Sequence, residues 1–369
     1  MGLNLNAYLK DLEYLINIDS GTSNLDGNRR MAAFFAKGFR LAGFDVSEEA
    51  AGAAGRPVVI AKTPDAASFD SYLGGHMDTV FPDGTAAARP FTREGDIVTG
   101  PGTVDMKAGA LLILYIAREL RQSAPEIPLC IVLNSDEEIG SPDSSEILRR
   151  EASKCRRIFI FEGGRKEDRL VNQRKGIAKY RIDIQGIASH AGTAPWKGAS
   201  AITELAHWIT RLDKLKNYDR GTSINVGLMK GGTALNVVAP SAWAMMEVRY
   251  TDQKELARVQ RALEKMTAKP FVEGTRAKVT QLSHYPPLLP TAKTLALMEE
   301  LAPYELEYVK AGGISDANRL ADLDIPIIDG CGPGGGFPHS EKEFLSIQTV
   351  QRRFDLFTRI IKETGIPSK

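Results

Sequence analysis

The order of apolar and polar residues divides the chain into stretches of two textures. Residues 5 to 44 carry apolar positions at helical spacing in two segments, which predict two helices split by the Asp19-Ser-Gly-Thr-Ser-Asn loop. Asp19 and Ser20 suit a turn or cap there, a position near a cleft being the alternative. Val58-Val-Ile-Ala, Ser71-Tyr-Leu-Gly-Gly, Ile127 to Leu133 and Arg157-Ile-Phe-Ile-Phe are short apolar runs that read as buried strands. Lys107 to Gln122 and Ser141 to Arg150 read as helices between them. Strands alternating with helices predict an α/β domain built on a largely parallel sheet.

Near Gly176 the texture changes. Ile177 to Gln185 alternates apolar and polar residues, the mark of a half-exposed strand. A helix over Ala199 to Leu215 follows, then strands over Ser223 to Lys230 and Ala242 to Tyr250, a helix over Gln253 to Ala268, and a strand over Arg276 to Leu282. The order β-α-β-β-α-β is that of a ferredoxin-like sandwich. After the Tyr285-Pro-Pro-Leu-Leu-Pro linker the α/β texture resumes, with a helix from Thr291, a strand at Ile325-Pro-Ile-Ile-Asp and a last helix from Leu345. The second domain is therefore expected to be inserted into the first: 1–175 and 288–369 form one domain, 176–287 the other.

Composition narrows the function classes. A chain of 369 residues is too long for one typical core, which agrees with two domains. With 43% hydrophobic and 25% charged residues it is ordinary globular protein. The net charge of +1, with no basic block, argues against nucleic acid or an anionic membrane as partner. No apolar run reaches membrane-spanning length, and the opening MGLNLNAYLKDLEYLINI is amphipathic rather than laid out as a signal peptide. Cys130, Cys155 and Cys331 are widely spaced and odd in number, so buried free thiols in a reducing cytoplasm are expected, and a cysteine-based zinc site has no support.

The candidate chemistry gathers at strand ends. His76 and Asp78 follow the Ser71 strand two residues apart, so both can face one cleft. His76 suits a metal ligand, with Asp78 holding its other ring nitrogen. The Gly100-Pro-Gly turn delivers Asp105 just ahead of the helix. Glu137 and Glu138 follow one buried strand and Glu162 another, and ligands in open α/β sheets gather at such carboxyl ends. A Glu-Glu pair alone suits a solvated loop. Joined with Asp105, Glu162, His76 and His339, it yields two imidazoles and four carboxylates, one carboxylate free for other work. Nitrogen and oxygen donors without thiolates suit zinc, with manganese or cobalt as alternatives. Two such ions about 3.5–4 Å apart can share one carboxylate and clamp a hydroxide. Of the remaining histidines, His207 lies mid-helix and reads as structural, and His284, before the proline-rich linker, is given no catalytic role.

The segments GGHMDTV, GPGTVDMKAG, NSDEEIGS, the FEGG strand end, ASHAGTAP, ALNVVAP and GFPHSEKEF, taken together, resemble the co-catalytic zinc exopeptidase and deacylase family. That family includes carboxypeptidase G, aminoacylase, acetylornithine deacetylase and succinyl-diaminopimelate desuccinylase. The resemblance covers essentially the whole chain. HMDTVFPDG, RPF and a Glu rather than Asp at position 162 bring it nearest the carboxypeptidase G-like, glutamate-releasing branch. The resemblance implies a catalytic domain carrying an inserted dimerisation domain, and two zinc ions per subunit. Asp105 would bridge both ions, His76 and Glu162 would complete one, and Glu138 and His339 the other. Glu137 would be the general base and Asp78 the orienting partner of His76. His190 would reach across a homodimer to polarise the scissile carbonyl. Asn236, Arg249, Gly312 and Gly313 would bind or line the substrate. A cis peptide between Asp105 and Met106 is implied as well.

The resulting expectation is a di-zinc peptidase that releases a C-terminal amino acid from a short peptide or N-acyl amino acid. The alternative is an N-deacylase of the acetylornithine or succinyl-diaminopimelate type. A ligand-binding protein on a dead hydrolase scaffold is disfavoured, because ligands and base are all present. Arg165, Lys166, Arg169, Arg174 and Lys175 form a basic stretch after Glu162 that would suit an acidic substrate residue such as glutamate, or serve only as a solvated loop.

Overall fold

Three buried strands in parallel register carry the acidic loops of the first unit. Strand β3 (Phe69–His76) is buried over its whole length and lies between β6 (Leu129–Asn134) and β7 (Cys155–Ile160), parallel to both. Strands covered on both faces need apolar side chains on both, which is why these read as continuous apolar runs. The sheet continues with β14 (Ile327–Ile328) parallel to β7, and on its other side with β2 (Arg56–Lys62) and β1 (Asp45–Ala51), both antiparallel. The computed structural model describes residues 2–164 and 169–367, and this mostly parallel sheet belongs to a unit formed by 2–164, 169–173, 289–311 and 315–367 of them.

Helices α1 (Leu5–Ile16), α2 (Leu25–Leu41), α4 (Ala108–Ser123) and α10 (Ile347–Thr364) bury their apolar stripes in one core with the sheet, Leu12, Phe35, Ile113 and Phe357 among the residues fully enclosed. Asn4 and Asn24 cap the first two helices by accepting from amides three residues on. On the helix α5 (Ser145–Ala152) the structure differs from the apolar pattern, which starts it at Ser141. Ser141 has φ 52°, and the Asp136 carboxylate accepts from the amides of Asp143 and Ser144, so the chain turns before it coils. Short α9 (Asp316–Leu320) packs against α5, and α8 (Ala292–Glu300) follows the linker.

Several short elements had no counterpart in the sequence reading. Strands β4 (Thr92–Glu94), β5 (Ile97–Thr99), β15 (Gly335–Gly336) and β16 (Phe344–Ser346) form a small antiparallel sheet, and β8 (Leu170–Arg174) pairs with β13 (Tyr308–Ala311). Strands of two or three residues are too short to show a period. The single turn α3 (Thr85–Ala88) is held by Asp19, whose carboxylate accepts from the Gly84 and Ala86 amides at 2.7 Å each.

The second unit comprises 174–288 together with 312–314. Its elements are β9 (Gly176–Gln185), α6 (Ala201–Asp213), β10 (Ser223–Gly231), β11 (Ser241–Tyr250), α7 (Gln253–Ala268) and β12 (Arg276–Tyr285). The sheet runs in the order β10, β11, β9, β12 with every pair antiparallel, the ferredoxin-like arrangement. Tyr180, Ile182, Trp208, Val248 and Leu256 make its own core. Among the described residues, no helix is long and apolar enough to cross a membrane. All three cysteines are free and buried.

Candidate metal centre

The three parallel strand ends, in the order β6, β3, β7, each deliver part of one polar cluster. His76 is the last residue of β3, the central strand, and is buried. Beyond Asn134, which pairs with His76 across the sheet, the chain places Glu137 and Glu138, and just past the end of β7 it places Glu162. Asp105 arrives from the loop ahead of α4. Its peptide with Met106 is cis.

Asp105 stands between two imidazoles. His76 Nε2 lies 3.2 Å from Asp105 Oδ1, and His339 Nε2 lies 3.0 Å from Asp105 Oδ2. Around His76 Nε2, Glu162 Oε1 is at 3.7 Å and Glu137 Oε2 at 3.8 Å. His339 Nε2 is also 3.2 Å from Glu138 Oε2. The donor atoms fall into two groups tight enough to hold a cation, His76 with Asp105 and Glu138, and His76 with Glu137 and Glu162. Among the described residues, Glu138 Oε1 is buried with no hydrogen-bond partner. An orphaned carboxylate oxygen among nitrogen and oxygen donors fits a bound divalent cation.

The electrostatics of the cluster show the same demand for positive charge. Burial pushes the Glu137 carboxyl well above its usual range, with His76 opposing and Glu162, Asp316 and Glu138 adding to the rise. Burial likewise raises Glu138, against the hydrogen bond to His339. Burial would lower the His76 pKa, but hydrogen bonds to Asp105 and Asp78 and the charges of Glu137 and Glu162 hold it well above its ordinary value. His339 is pushed up to about 10, first by its hydrogen bond to Asp105 and then by that to Glu138. For Asp105 burial works upward, yet His339 and His76 hold the carboxyl below the usual carboxylate range. Carboxylates this crowded keep protons on neighbouring imidazoles, and cations would replace those protons.

A layer of buried polar groups orients these side chains. The Asp78 carboxylate accepts from Thr22 Oγ1 at 2.6 Å and from the amides of Glu137 and Glu138 at 3.2 Å each. Its backbone carbonyl lies 3.0 Å from His76 Nδ1. Asp316 accepts from Asn134 Nδ2 at 3.0 Å and from Ser141 Oγ, and burial foremost raises its carboxyl to about 7. Sequence reasoning singled out Asp78 by its spacing from His76. It missed Thr22, Asp316 and the buried Glu343, whose partners are mostly backbone amides or residues far along the chain.

The other candidate residues lie in the second unit. His190 is exposed, and its Nδ1 accepts from the amides of Gly192 and Thr193 at 3.1 and 3.2 Å. With Nδ1 accepting two amides, the ring hydrogen is placed on Nε2. The exposed Asn236 offers its carbonyl to the Ala191 amide at 2.9 Å. Arg249 donates to the Gly312 carbonyl at 2.9 Å and to Glu247 at 2.8 Å, while the buried Arg174 donates to the Gly313 carbonyl at 3.2 Å. Arg165 and Lys166 of the basic stretch lie outside the described residues. His207 stacks on Phe271, and His284 Nε2 is 2.7 Å from the Tyr250 hydroxyl, both within this unit.

Comparison with known proteins places the chain. The sequence pattern of peptidase family M20/M25/M40 matches residues 72–363. The chain belongs to peptidase family M20/M25/M40. Carboxypeptidase G2 from Pseudomonas sp. (strain RS-16) is 28% identical over 371 residues, spanning 97% of this chain and 89% of that protein. Among solved structures, the aminopeptidase PepT of Bacillus cereus superposes with a TM-score of 0.80 at 23% identity, covering 98% of this chain and 99% of that one. The M20 family metallo-carboxypeptidase Sso-CP2 of Sulfolobus solfataricus gives 0.75 at 16% identity, over 96% and 98%. This M20 peptidase is therefore a metal-dependent hydrolase with the mixed α/β fold of its family, and its cluster of imidazoles and carboxylates supplies donors of the type such an enzyme needs.

Proposed function

We propose that this M20 metallopeptidase holds two zinc ions and hydrolyses the amide bond before a C-terminal amino acid, such as glutamate, in short peptides or N-acyl amino acids. The observation that carries the reading is Asp105, whose two carboxylate oxygens face different imidazoles at 3.2 and 3.0 Å. Asp105 would be shared by the two ions, His76 and Glu162 would help hold one, and Glu138 and His339 the other. Four carboxylates with two neutral imidazoles carry −4, which two divalent ions balance. Divalent ions bound there supply Lewis acidity and a nucleophilic water at neutral pH.

The chain's own groups do the rest. Glu137 is buried beside the cluster, its Oε2 3.8 Å from His76 Nε2, and is assigned the base that takes a proton from water and gives it to the leaving nitrogen. His190 keeps its Nε2–H free of the amides that bind Nδ1, so it can donate to a carbonyl oxygen as negative charge develops. A second copy of the chain is proposed to present that histidine. Strand β10 is an edge of its sheet with Leu228 and Met229 exposed, a surface that a two-fold mate would cover. Arg249, which donates to the Gly312 carbonyl, suits the substrate carboxylate, and Asn236 and Gly313 are assigned to substrate binding with it. Buried free thiols agree with a reducing cytoplasm as the site of action.

The test is a metal-loaded assay on a matched panel of N-acyl amino acids, dipeptides, acetylornithine and succinyl-diaminopimelate. Release of C-terminal glutamate at the highest kcat/KM supports the reading. Faster turnover of acetylornithine or succinyl-diaminopimelate would replace it with the N-deacylase, and cleavage that requires a free N-terminus would replace it with an aminopeptidase.

A further inference from the structure

Glu343 is fully buried, and its carboxylate is spent on the backbone of a single loop. Oε1 accepts from the amides of Val104 at 2.9 Å and Asp105 at 3.1 Å, and Oε2 accepts from Gly102 at 3.2 Å. Gly102 adopts φ 73°, and a Cβ there would sit 2.5 Å from Thr79 Cγ2, so the loop is shaped by glycine and filled by the carboxylate. The same residue closes the turn that carries His339, its amide donating to the Ser340 carbonyl at 3.2 Å. His339 has φ 61°, a left-handed conformation that a non-glycine residue holds only when its surroundings enforce it. Arg89 adds to that enforcement by donating to the Glu341 carbonyl at 3.0 Å. Immediately after Glu343, Phe344 pairs with Thr99, so β16 and β5 bring the two loops together.

We infer that Glu343 is a positioning residue that locks the Asp105 loop to the His339 turn, setting the two donors about 3 Å apart as one rigid unit for the metal centre. The inference rests on the two-metal reading above. Its chemistry is specific. All three donors are N–H groups, so the group between them must accept at both ends, as the two oxygens of a carboxylate do. A glutamine has the same shape but turns one acceptor into an NH2. With its oxygen kept toward Val104 and Asp105, that NH2 faces the Gly102 N–H, donor against donor. Glu343 has no solvent exposure, so the unmatched donors are left buried, at the full cost of desolvation.

The experiment compares Glu343→Gln, Glu343→Ala and the wild-type chain, with Glu151→Gln as a control for buried carboxylates in general. Glu151 is buried in α5, and its carboxylate pairs with Lys62 at 2.6 Å and Arg150 at 2.8 Å rather than, among the described residues, with the cluster. The readouts are Zn2+ affinity of the apo protein by chelator competition, the visible spectrum after Co2+ loading, and thermal midpoint. Glu343→Gln is expected to lower metal affinity by about 10–100-fold and to change the Co2+ spectrum. Glu151→Gln should lower the midpoint without moving either metal signal. Should Glu343→Ala fail to fold, the near-isosteric Gln variant still decides. Wild-type affinity and spectrum in a folded Glu343→Gln variant would overturn the positioning role while leaving the two-metal reading intact. A folded wild-type chain that takes up no Zn2+ or Co2+ would overturn that reading, and this inference with it.

Discussion

Asp78 holds His76 by two contacts, a backbone carbonyl 3.0 Å from Nδ1 and a carboxylate oxygen 3.3 Å from the same atom. That leaves Nε2 as the nitrogen facing Asp105, Glu137 and Glu162. Because the Asp78 carboxylate also receives Thr22 and the amides of Glu137 and Glu138, one residue sets the aim of an imidazole and the path of the loop opposite it. Asp78→Ala removes every one of those carboxylate contacts and leaves buried donors unpaired. It is expected to weaken Zn2+ binding by about 10–100-fold, measured by competition with a chromogenic chelator. Unchanged affinity in a folded variant would mean that the Asp78 carboxylate does not orient the cluster.

Glu137→Gln separates chemistry from binding. The substitution keeps the shape of the side chain and removes its ability to take a proton. Turnover should fall by about 10²–10⁴-fold with metal content by elemental analysis close to wild type. A variant that keeps near-wild-type kcat would remove Glu137 from the role of base.

Metal binding should release protons and tighten as pH rises. His339 holds its proton up to about 10 in the metal-free protein, and His76 is shifted in the same direction. An ion needs the neutral imidazole, so it competes with that proton. Each proton displaced lowers the apparent affinity about tenfold for every pH unit below the pKa of the group that gives it up. The sign follows directly: binding is weakest in acid, strengthens through neutrality, and stops gaining from His339 near pH 10. Titration calorimetry in buffers of different ionisation enthalpy counts the protons. Affinity that stays flat between pH 6 and 9 would falsify the competition.

Gly109 tests the fit of α4 against the strand end that leads to Glu162. In an exposed helix, replacing glycine by alanine stabilises by about 1 kcal/mol. Here a Cβ would lie 2.1 Å from the Phe161 carbonyl oxygen and 3.0 Å from Met106 Cε. Overpacking of that kind costs about 1–3 kcal/mol, and the atom in the way is backbone, which cannot rotate aside. Gly109→Ala is expected to destabilise the protein in denaturant titration despite the better helix former, and to weaken metal binding by displacing Glu162.

Association can be tested by complementation. His190→Ala and Glu137→Gln should each be nearly inactive alone. If a second copy supplies His190, mixed dimers contain one centre with both residues intact, and mixing under subunit exchange should restore part of the activity. Confirmed exchange without recovery would assign His190 to its own chain or to no role in turnover.

Much of this protein was written in local order along the chain. Burial imposes a period of two on strands and near 3.6 on helices, and that demand is satisfied within a few residues, so β3, β6, β7, α1, α2 and α4 were all readable. The His76-x-Asp78 spacing and the acids directly after buried strands were readable for the same reason. The short sheet of β4, β5, β15 and β16 was not, because strands of two or three residues carry no period. Nor could the chain order show that Asp105 turns one oxygen to His76 and the other to His339, or that Gly109 touches the Phe161 carbonyl. Glu343 was the most hidden of all. Its partners are amides that every residue but proline possesses, so its role depends on where the folded backbone passes and leaves no complementary residue type for a sequence to display.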